Sequence, residues 1–139
     1  MSYSEAVLRS EALALGGHET ILVVEDDPLI RKLTTRLLES LGYAVLQADN
    51  GVSALAVVAA HRGEITLLLS DVVMPEMNGQ VLADRLRAEN TKLKVLYVSG
   101  YTDNAIVLRG VSENAIAFLQ KPYTPTTLAR KVRAVLDEG

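Results

Sequence analysis

The chain has 139 residues, a formal net charge of −3 and no cysteine. A chain of this length with 49% hydrophobic residues buries roughly two thirds of its unfolded surface, so we expect one domain with its own core. The absence of cysteine excludes disulfides and thiolate metal sites and favours a cytoplasmic location. Lysine and arginine are scattered and no apolar stretch is as long as a membrane span, so we expect neither nucleic-acid binding nor membrane contact.

The first 20 residues differ from the rest of the chain. A short helical pattern of apolar residues there ends at the glycine pair Gly16-Gly17. We interpret residues 1–20 as a connector or a loosely held tail, and residues 21–139 as one domain.

From residue 21 onwards, short apolar runs alternate with helical patterns. This alternation predicts an α/β fold in which parallel strands are joined by helical crossovers. The predicted strands are Ile21 to Val24, Ala44 to Gln47, Ile65 to Ser70, Val95 to Val98 and Ala115 to Leu119.

The predicted helices lie between and after these strands. The first begins after Asp27-Pro28, which supply a capping carboxylate and a first-turn proline, and Gly42 suits its left-handed end. Its predicted core stripe is Ile30, Leu33, Leu37 and Leu41. The second runs from about Val52 to His61, with Leu55, Val58 and Ala59 facing inward. The third carries Val81, Leu82 and Leu86, and the fourth spans about Asp103 to Leu108. The last starts after Thr124-Pro125 and buries Leu128, Val132, Val135 and Leu136.

Polar residues stand at the ends of four predicted strands. Because functional residues of parallel sheets gather beyond the carboxyl ends of the strands, we expect these side chains to converge. They are Glu25, Asp26 and Asp27 after the first strand, Asp71 after the third, Ser99 after the fourth, and Lys121 with Pro122 after the fifth.

The charges of this cluster predict a divalent cation. Three carboxylates, from Glu25, Asp26 and Asp71, repel one another unless a cation is present. Mg²⁺ prefers oxygen ligands and is held by one or two carboxylates together with a phosphate. Lys121 completes the charge balance, so the expected chemistry is phosphoryl transfer, which depends mostly on positioning and neutralisation of oxygen charge.

Each residue of the cluster has an expected role. Asp71 is the acceptor that forms an acyl phosphate, because it is the acid at the end of a predicted central strand. Asp26 holds Mg²⁺ directly, Glu25 holds it through water, and the backbone carbonyl of Val73 is a further ligand. The Ser99 hydroxyl and the Lys121 ammonium each contact a phosphoryl oxygen. We expect Asp27 to cap the first helix rather than bind metal, and the bond before Pro122 to be cis.

At these positions the sequence resembles the receiver domain of two-component response regulators. The shared motifs are Glu25-Asp26-Asp27-Pro28, Asp71-Val-Val-Met-Pro75-Glu-Met-Asn-Gly79, Val-Ser99-Gly-Tyr and Phe118-Leu-Gln-Lys121-Pro122. The resemblance implies a three-layer, flavodoxin-like (βα)5 fold: a doubly wound parallel sheet in strand order 2-1-3-4-5. It also implies a non-enzymatic signalling role, with the phosphohistidine of a sensor histidine kinase or phosphotransfer domain as donor and a downstream response protein as a possible further partner.

The resemblance further implies a switch. Ser99 moves toward the phosphoryl group and Phe118 turns inward, which changes the face formed by the fourth predicted helix, the fifth strand and the last helix. Glu25 and Ser99 stand where aspartate and threonine are frequent in the family. The residues of the last two motifs are similar to those of receivers in hybrid sensor kinases.

Two other functions remain open on the sequence alone. A Mg²⁺-dependent phosphohydrolase with an aspartyl nucleophile uses similar chemistry, but one large class of these enzymes needs a second acid at the position of Val73. A flavin or nucleotide binder of the same architecture needs a glycine- and hydroxyl-rich loop after the first strand. Glu25, Asp26 and Asp27 would repel a phosphate there.

Overall fold

The computed structural model describes residues 16–100 and 117–138, which contain five strands and four helices. The strands are β1 (Thr20–Val24), β2 (Ala44–Ala48), β3 (Leu67–Asp71), β4 (Lys94–Ser99) and β5 (Ala117–Gln120). The helices are α1 (Pro28–Ser40), α2 (Gly51–Ala60), α3 (Gly79–Glu89) and α4 (Pro125–Asp137). The predicted N-terminal helical pattern and the helix predicted over about Asp103 to Leu108 lie outside the described residues.

All four strand pairings are parallel, and the sheet order is β2-β1-β3-β4-β5. This confirms the predicted doubly wound, flavodoxin-like architecture. Successive side chains of a strand point to opposite faces, so β1 contributes to two cores. Leu22 packs on the face with α2 and α3, whereas Ile21 packs on the face with α1 and α4. The fold therefore has three layers, with the sheet between two layers of helices. β1 and β3 are buried, because both faces of a parallel sheet are covered.

The predicted helix starts are confirmed. The Asp27 carboxylate accepts the backbone N–H groups of Leu29 and Ile30, at 2.9 and 3.2 Å. Thr124 accepts the N–H of Thr127 at 3.1 Å. These bonds satisfy donors that have no partner within the first helical turn, so both helices start where the sequence predicts.

The predicted core stripe of α1 is wrong at Leu33, which is 56% exposed. The helix instead buries Thr34, Thr35 and Leu38. The Thr34 hydroxyl is 2.7 Å from the hydroxyl of Tyr123, so its burial leaves its polar atom hydrogen-bonded. Hydrophobic spacing alone therefore misplaced the buried face by part of a turn.

Ala59 of α2 is also exposed, contrary to the prediction. The buried residues of α2 are Gly51 and Ala54, while Leu55 and Val58 are partly buried against the core. A Cβ at Gly51 would lie 2.8 Å from the sulfur of Met77, so the start of α2 packs tightly on the loop after β3. This close approach fixes the start of α2 against the loop after β3.

None of the helices within residues 16–100 and 117–138 is long and apolar enough to cross a membrane.

The corrected orientation of α1 is testable with two alanine substitutions. Leu38→Ala is expected to lower the free energy of unfolding by about 2 to 5 kcal/mol, because Leu38 is fully buried. Leu33→Ala is expected to change it by only about 0.5 kcal/mol, because more than half of Leu33 is exposed. Urea unfolding of both variants measures the difference, and equal losses would contradict this packing.

Candidate functional site

Four strand ends meet at one edge of the sheet, as the sequence predicts. The parallel register places Val24 opposite Ser70, Asp71 opposite Val98, and Ser99 opposite Gln120. Side chains at or just beyond these positions therefore converge. Asp71 is itself the last residue of β3 rather than the first residue after it, which brings its carboxyl deeper into the sheet edge than the predicted strand boundary implied.

Lys121 lies between two acidic side chains at this edge. Its Nζ atom is 2.6 Å from Oε1 of Glu25 and 3.0 Å from Oδ1 of Asp71. The side chains of Glu25 and Asp71 are only 6% and 7% exposed, whereas that of Lys121 is 24% exposed. The ammonium thus neutralises carboxylates that water barely reaches.

The backbone around Lys121 is held on both sides. Its N–H donates to the carbonyl of Ser99 at 2.8 Å, and the bond to Pro122 is cis, as predicted. One residue further, Tyr123 forms the hydroxyl–hydroxyl bond to Thr34 of α1. These contacts connect the loop after β5 to β4 and to α1. Sequence reasoning missed the Thr34–Tyr123 pair, because neither residue stands out in a strand-end pattern.

Glu25 is held more firmly than the sequence analysis anticipated. Its backbone N–H donates to the carbonyl of Ala48 at 3.1 Å, and its own carbonyl accepts from Nη1 of Arg31 at 2.7 Å. Its second carboxylate oxygen accepts the N–H of Asp27 at 3.1 Å. The side chain therefore points inward to Lys121. Arg31 was not predicted to take part; only its position one helical turn after Asp27 would have indicated it.

The loop after Asp71 folds back over the strand end. The N–H of Gly79 donates to the carbonyl of Val72 at 2.7 Å, and the Ser70 hydroxyl donates to the carbonyl of Asp71 at 2.9 Å. A Cβ at Gly79 would collide with that same Asp71 carbonyl, so a glycine is required here for the close approach. The loop therefore fixes the backbone of Asp71. Whether the Val73 carbonyl binds a metal stays a prediction.

The two buried acids influence each other's ionisation. Burial, together with the neighbouring Glu25 carboxylate, raises the pKa of Asp71 to about 8. Burial opposes ionisation of Glu25 as well, but hydrogen bonds from Asp71, Lys121 and the Asp27 N–H outweigh it and lower the pKa of Glu25. Burial also disfavours the charged form of Lys121, yet its bonds to Glu25 and Asp71 raise its pKa. Glu25 and Asp71 thus share a proton beside a charged ammonium.

The carboxyl groups of Glu25, Asp26 and Asp71 fit a hard cation. Each offers an oxygen, and these three oxygens lie within 4.8 Å of one another. Asp26 is exposed while the other two are buried, so the cluster is open to solvent on one side. An all-oxygen set of this kind, with room for water, matches the preference of Mg²⁺. The predicted convergence of the three acids is confirmed.

Ser99 and Phe118 lie on one face of neighbouring strands. Ser99 is buried at the end of β4, and Tyr97, two residues earlier, points to the same face. Tyr97 pairs with Phe118 in register, and their ring centroids are 5.8 Å apart. Phe118 is only partly buried. The sequence motifs indicate Ser99 and Phe118 but not Tyr97, the aromatic residue between them, because Tyr97 has the pattern of an ordinary strand residue.

Two substitutions test the charge balance around Lys121. Lys121→Met leaves Glu25 and Asp71 without this ammonium, and we expect the free energy of unfolding to fall by about 2 to 3 kcal/mol. This is less than the loss of about 3 to 5 kcal/mol for a fully buried pair, because a quarter of the Lys121 side chain is exposed. Asp71→Asn removes one of the two acids, so we expect Lys121→Met to cost less in that background. Urea unfolding of the four proteins at a pH above 8, where the Asp71 carboxyl is ionised, measures this coupling, and equal costs in both backgrounds would contradict it.

The difference in stability between the natural protein and Asp71→Asn should change with pH in one direction. The pKa of Asp71 is about 8 in the folded chain, above its ordinary value of 3.8, so the unfolded chain binds fewer protons between these values. The stability of the natural protein should therefore fall relative to Asp71→Asn as the pH rises through that window. A difference that does not change with pH would contradict the raised pKa.

Known proteins share both the sequence and the fold of this chain. The response regulator receiver domain family matches residues 21–133. Over 128 residues the chain is 38% identical to the sensor kinase CckA of Brucella abortus, a match that covers 92% of this chain and 14% of that protein. It is 33% identical over 116 residues to the response regulator receiver protein CpdR of the same organism, covering 84% of this chain and 95% of CpdR.

A solved structure gives the same result. The receiver domain of the hybrid histidine kinase CckA superimposes with a TM-score of 0.71 at 34% identity, covering 85% of this chain and 99% of that domain. The strand-end acids, the lysine after β5 and the 2-1-3-4-5 sheet thus occur together with a family match over most of the sequence. The chain belongs to the response regulator receiver domain family of two-component signalling.

Proposed function

We propose that this domain accepts a phosphoryl group on Asp71 from a phosphohistidine, in a reaction that requires Mg²⁺. One observation carries the proposal: the Asp71 carboxyl lies 3.0 Å from the Lys121 ammonium and within a cluster of three acids whose oxygens suit a divalent cation. The donor is a sensor histidine kinase or a phosphotransfer domain, and family membership supports that class of partner.

In the proposed reaction, a carboxylate oxygen of Asp71 attacks phosphorus while the bond from phosphorus to the imidazole nitrogen breaks. The imidazole leaves with the bonding electron pair and takes up a proton, and Asp71 becomes an acyl phosphate. Asp71 must lose its shared proton first. A bound Mg²⁺ supplies positive charge to the carboxylates and to the phosphoryl oxygens, which favours that loss.

Lys121 and Glu25 act together in this proposal. Once Asp71 carries a phosphoryl group, its carboxylate charge moves outward onto the phosphoryl oxygens. The Lys121 side chain is 24% exposed, so its ammonium has room to follow that charge. Glu25 is fixed by the Asp27 N–H and keeps its own contact to Lys121. Glu25 is thus proposed to orient the lysine as well as to hold Mg²⁺ through water, with Asp26 as the direct metal ligand.

The two alternative functions gain no support from the structure. Val73 stands where the phosphohydrolase class needs a second acid, and its side chain is 46% exposed. The loop after β1 presents Glu25 and Asp26, which disfavour the phosphate of a flavin or nucleotide. The family match favours a phosphoacceptor that signals rather than an enzyme that turns over small substrates.

The larger protein context is part of the proposal. The chain spans 14% of the sensor kinase that it matches and nearly the whole of CpdR. Its identity is 38% to the former and 33% to the latter. We infer that the domain resembles the receiver of a hybrid sensor kinase, located in the cytoplasm, that relays a phosphoryl group to or from a partner protein.

Acetyl phosphate tests the acceptor residue without a cognate kinase. With Mg²⁺ present, the natural protein should gain one hydroxylamine-labile phosphoryl group by intact mass, and Asp71→Asn should gain none. Asp27→Asn is the matched control, because asparagine caps a helix as well as aspartate does and should leave labelling unchanged. Labelling that persists in Asp71→Asn, or that is unaffected by chelation of Mg²⁺, would contradict the proposal.

The switch is tested by a phosphate mimic. Beryllofluoride with Mg²⁺ is expected to change the NMR chemical shifts of Phe118 and Tyr97, whose rings are in contact, as Ser99 moves toward Asp71. Changes are also expected at Ile106 and Val107, which lie outside the described residues. The same titration of Asp71→Asn is the control. Shift changes confined to the acidic cluster would show that Phe118 is an ordinary core residue.

A further inference from the structure

Helix α1 contacts both of the loops that carry the buried ion pair of the site. Arg31 lies in the first turns of the helix and donates from Nη1 to the carbonyl of Glu25 at 2.7 Å. Thr34 lies three residues further and is buried, and its hydroxyl is 2.7 Å from the hydroxyl of Tyr123. Residues three apart on a helix face the same side. One side of α1 therefore holds the loop after β1 and the loop after β5.

These contacts form a closed ring. Oε1 of Glu25 lies 2.6 Å from Nζ of Lys121, and Tyr123 is only two residues after Lys121 in the chain. The ring passes in turn through Arg31, Glu25, Lys121, Tyr123 and Thr34. Because the ring is closed, loss of one contact gives the other members more freedom. The two contacts from α1 thus limit how far Glu25 and Lys121 can separate.

The contact from Arg31 acts on the peptide unit that joins Glu25 to Asp26. A peptide unit is planar, so a hydrogen bond that holds the Glu25 carbonyl also orients the N–H and Cα of Asp26. The carboxylate of Glu25 is held separately, by the N–H of Asp27 at 3.1 Å. The directions of two of the three acids in the cluster therefore depend on the backbone that Arg31 holds.

The charge of Arg31 makes this role separable from simple electrostatics. A positive charge near acids that suit a divalent cation lowers their affinity for that cation, because like charges repel. A hydrogen bond that orients the same acids raises the affinity, because the ligands are already in place. The two effects have opposite signs, so the affinity for Mg²⁺ shows which of them is larger.

We propose that Arg31 is a positioning residue of the site, and that Thr34 and Tyr123 complete a brace with it across α1. Arg31 holds the Glu25–Asp26 peptide so that both carboxylates face a shared cation, and the hydroxyl pair holds the loop after β5. These residues act through the two loops rather than on the reacting atoms. The inference rests on the proposed function, because it concerns the proposed Mg²⁺ ligands, but one of its two measurements needs no metal.

Affinity for Mg²⁺ tests the positioning of the acids. In an NMR titration with Mg²⁺ alone, Arg31→Met is expected to bind the ion about 10-fold more weakly than the natural protein, as loss of an outer-shell contact commonly does. Arg31→Lys keeps the charge and an N–H donor, so it should recover most of the affinity. Arg36→Met is the matched control, because it removes the same charge from an exposed position of α1. Binding by Arg31→Met that is as tight as in the natural protein, or tighter, would overturn the proposal.

The ammonium of Lys121 tests the brace without metal. Held between two buried carboxylates, it should exchange its protons slowly and give a sharp proton–nitrogen-15 NMR signal at low temperature, assigned by its loss in Lys121→Met. Tyr123→Phe removes only a hydroxyl, and both this variant and Arg31→Met are expected to broaden or erase the signal. Arg36→Met should keep it. A signal that stays sharp in both brace variants would overturn the brace.

The two measurements separate this inference from the proposed function. If the natural protein binds no Mg²⁺, the proposed function fails and the Lys121 signal decides the brace. If the natural protein binds Mg²⁺ and is labelled on Asp71, but Arg31→Met equals it in affinity and in the Lys121 signal, the brace fails and the proposed function stands. The amide signals of β1 and β3 should be unchanged in every variant, so that a loss reports the site rather than unfolding.

Discussion

The site depends on one constraint, which is that two buried acids at the carboxyl edge of the sheet must be neutralised. Lys121 does this by contacting Glu25 and Asp71 within 3.0 Å. Removing charges from water is costly, so a buried carboxylate pair persists only with a cation or a shared proton. Both are present, because burial and Glu25 raise the pKa of Asp71 while Lys121 stays charged. The same arrangement would suit the divalent cation and the phosphoryl group of the proposed function, each of which would rebalance these charges.

The parallel sheet is what brings these charged residues together. Residues 25, 71 and 121 are far apart in sequence, and the parallel order β2-β1-β3-β4-β5 brings the ends of β1, β3 and β5 to one edge, with β4 between the last two. The tight approach of Gly79 to the Asp71 carbonyl and the bond from the Lys121 N–H to Ser99 then fix the loops. These loop contacts therefore hold the charged side chains in place at the edge of the sheet.

Much of this could be predicted from the sequence, because strand ends and helix caps are local signals. Asp27 and Thr124 cap helices where their neighbours indicate, and the four strand ends meet as parallel topology requires. Which face of a helix is buried depends less on the local sequence. Leu33 has the spacing of a core residue, but Thr34 is buried instead, with its hydroxyl 2.7 Å from that of Tyr123, which is distant in sequence. Contacts of this kind, like that of Arg31 with the Glu25 carbonyl, depend on how elements meet and leave no pattern along the chain.

The ionisation of Asp71 tests the central claim most directly. Carbon-13 NMR of the Asp71 side-chain carboxyl, followed over pH with and without Mg²⁺, reports its protonation at the atom concerned. Without Mg²⁺ the carboxyl should keep a proton well above the ordinary value of 3.8, and saturating Mg²⁺ should lower its pKa sharply. A carboxyl that titrates at its ordinary pKa and is unaffected by Mg²⁺ would contradict the account.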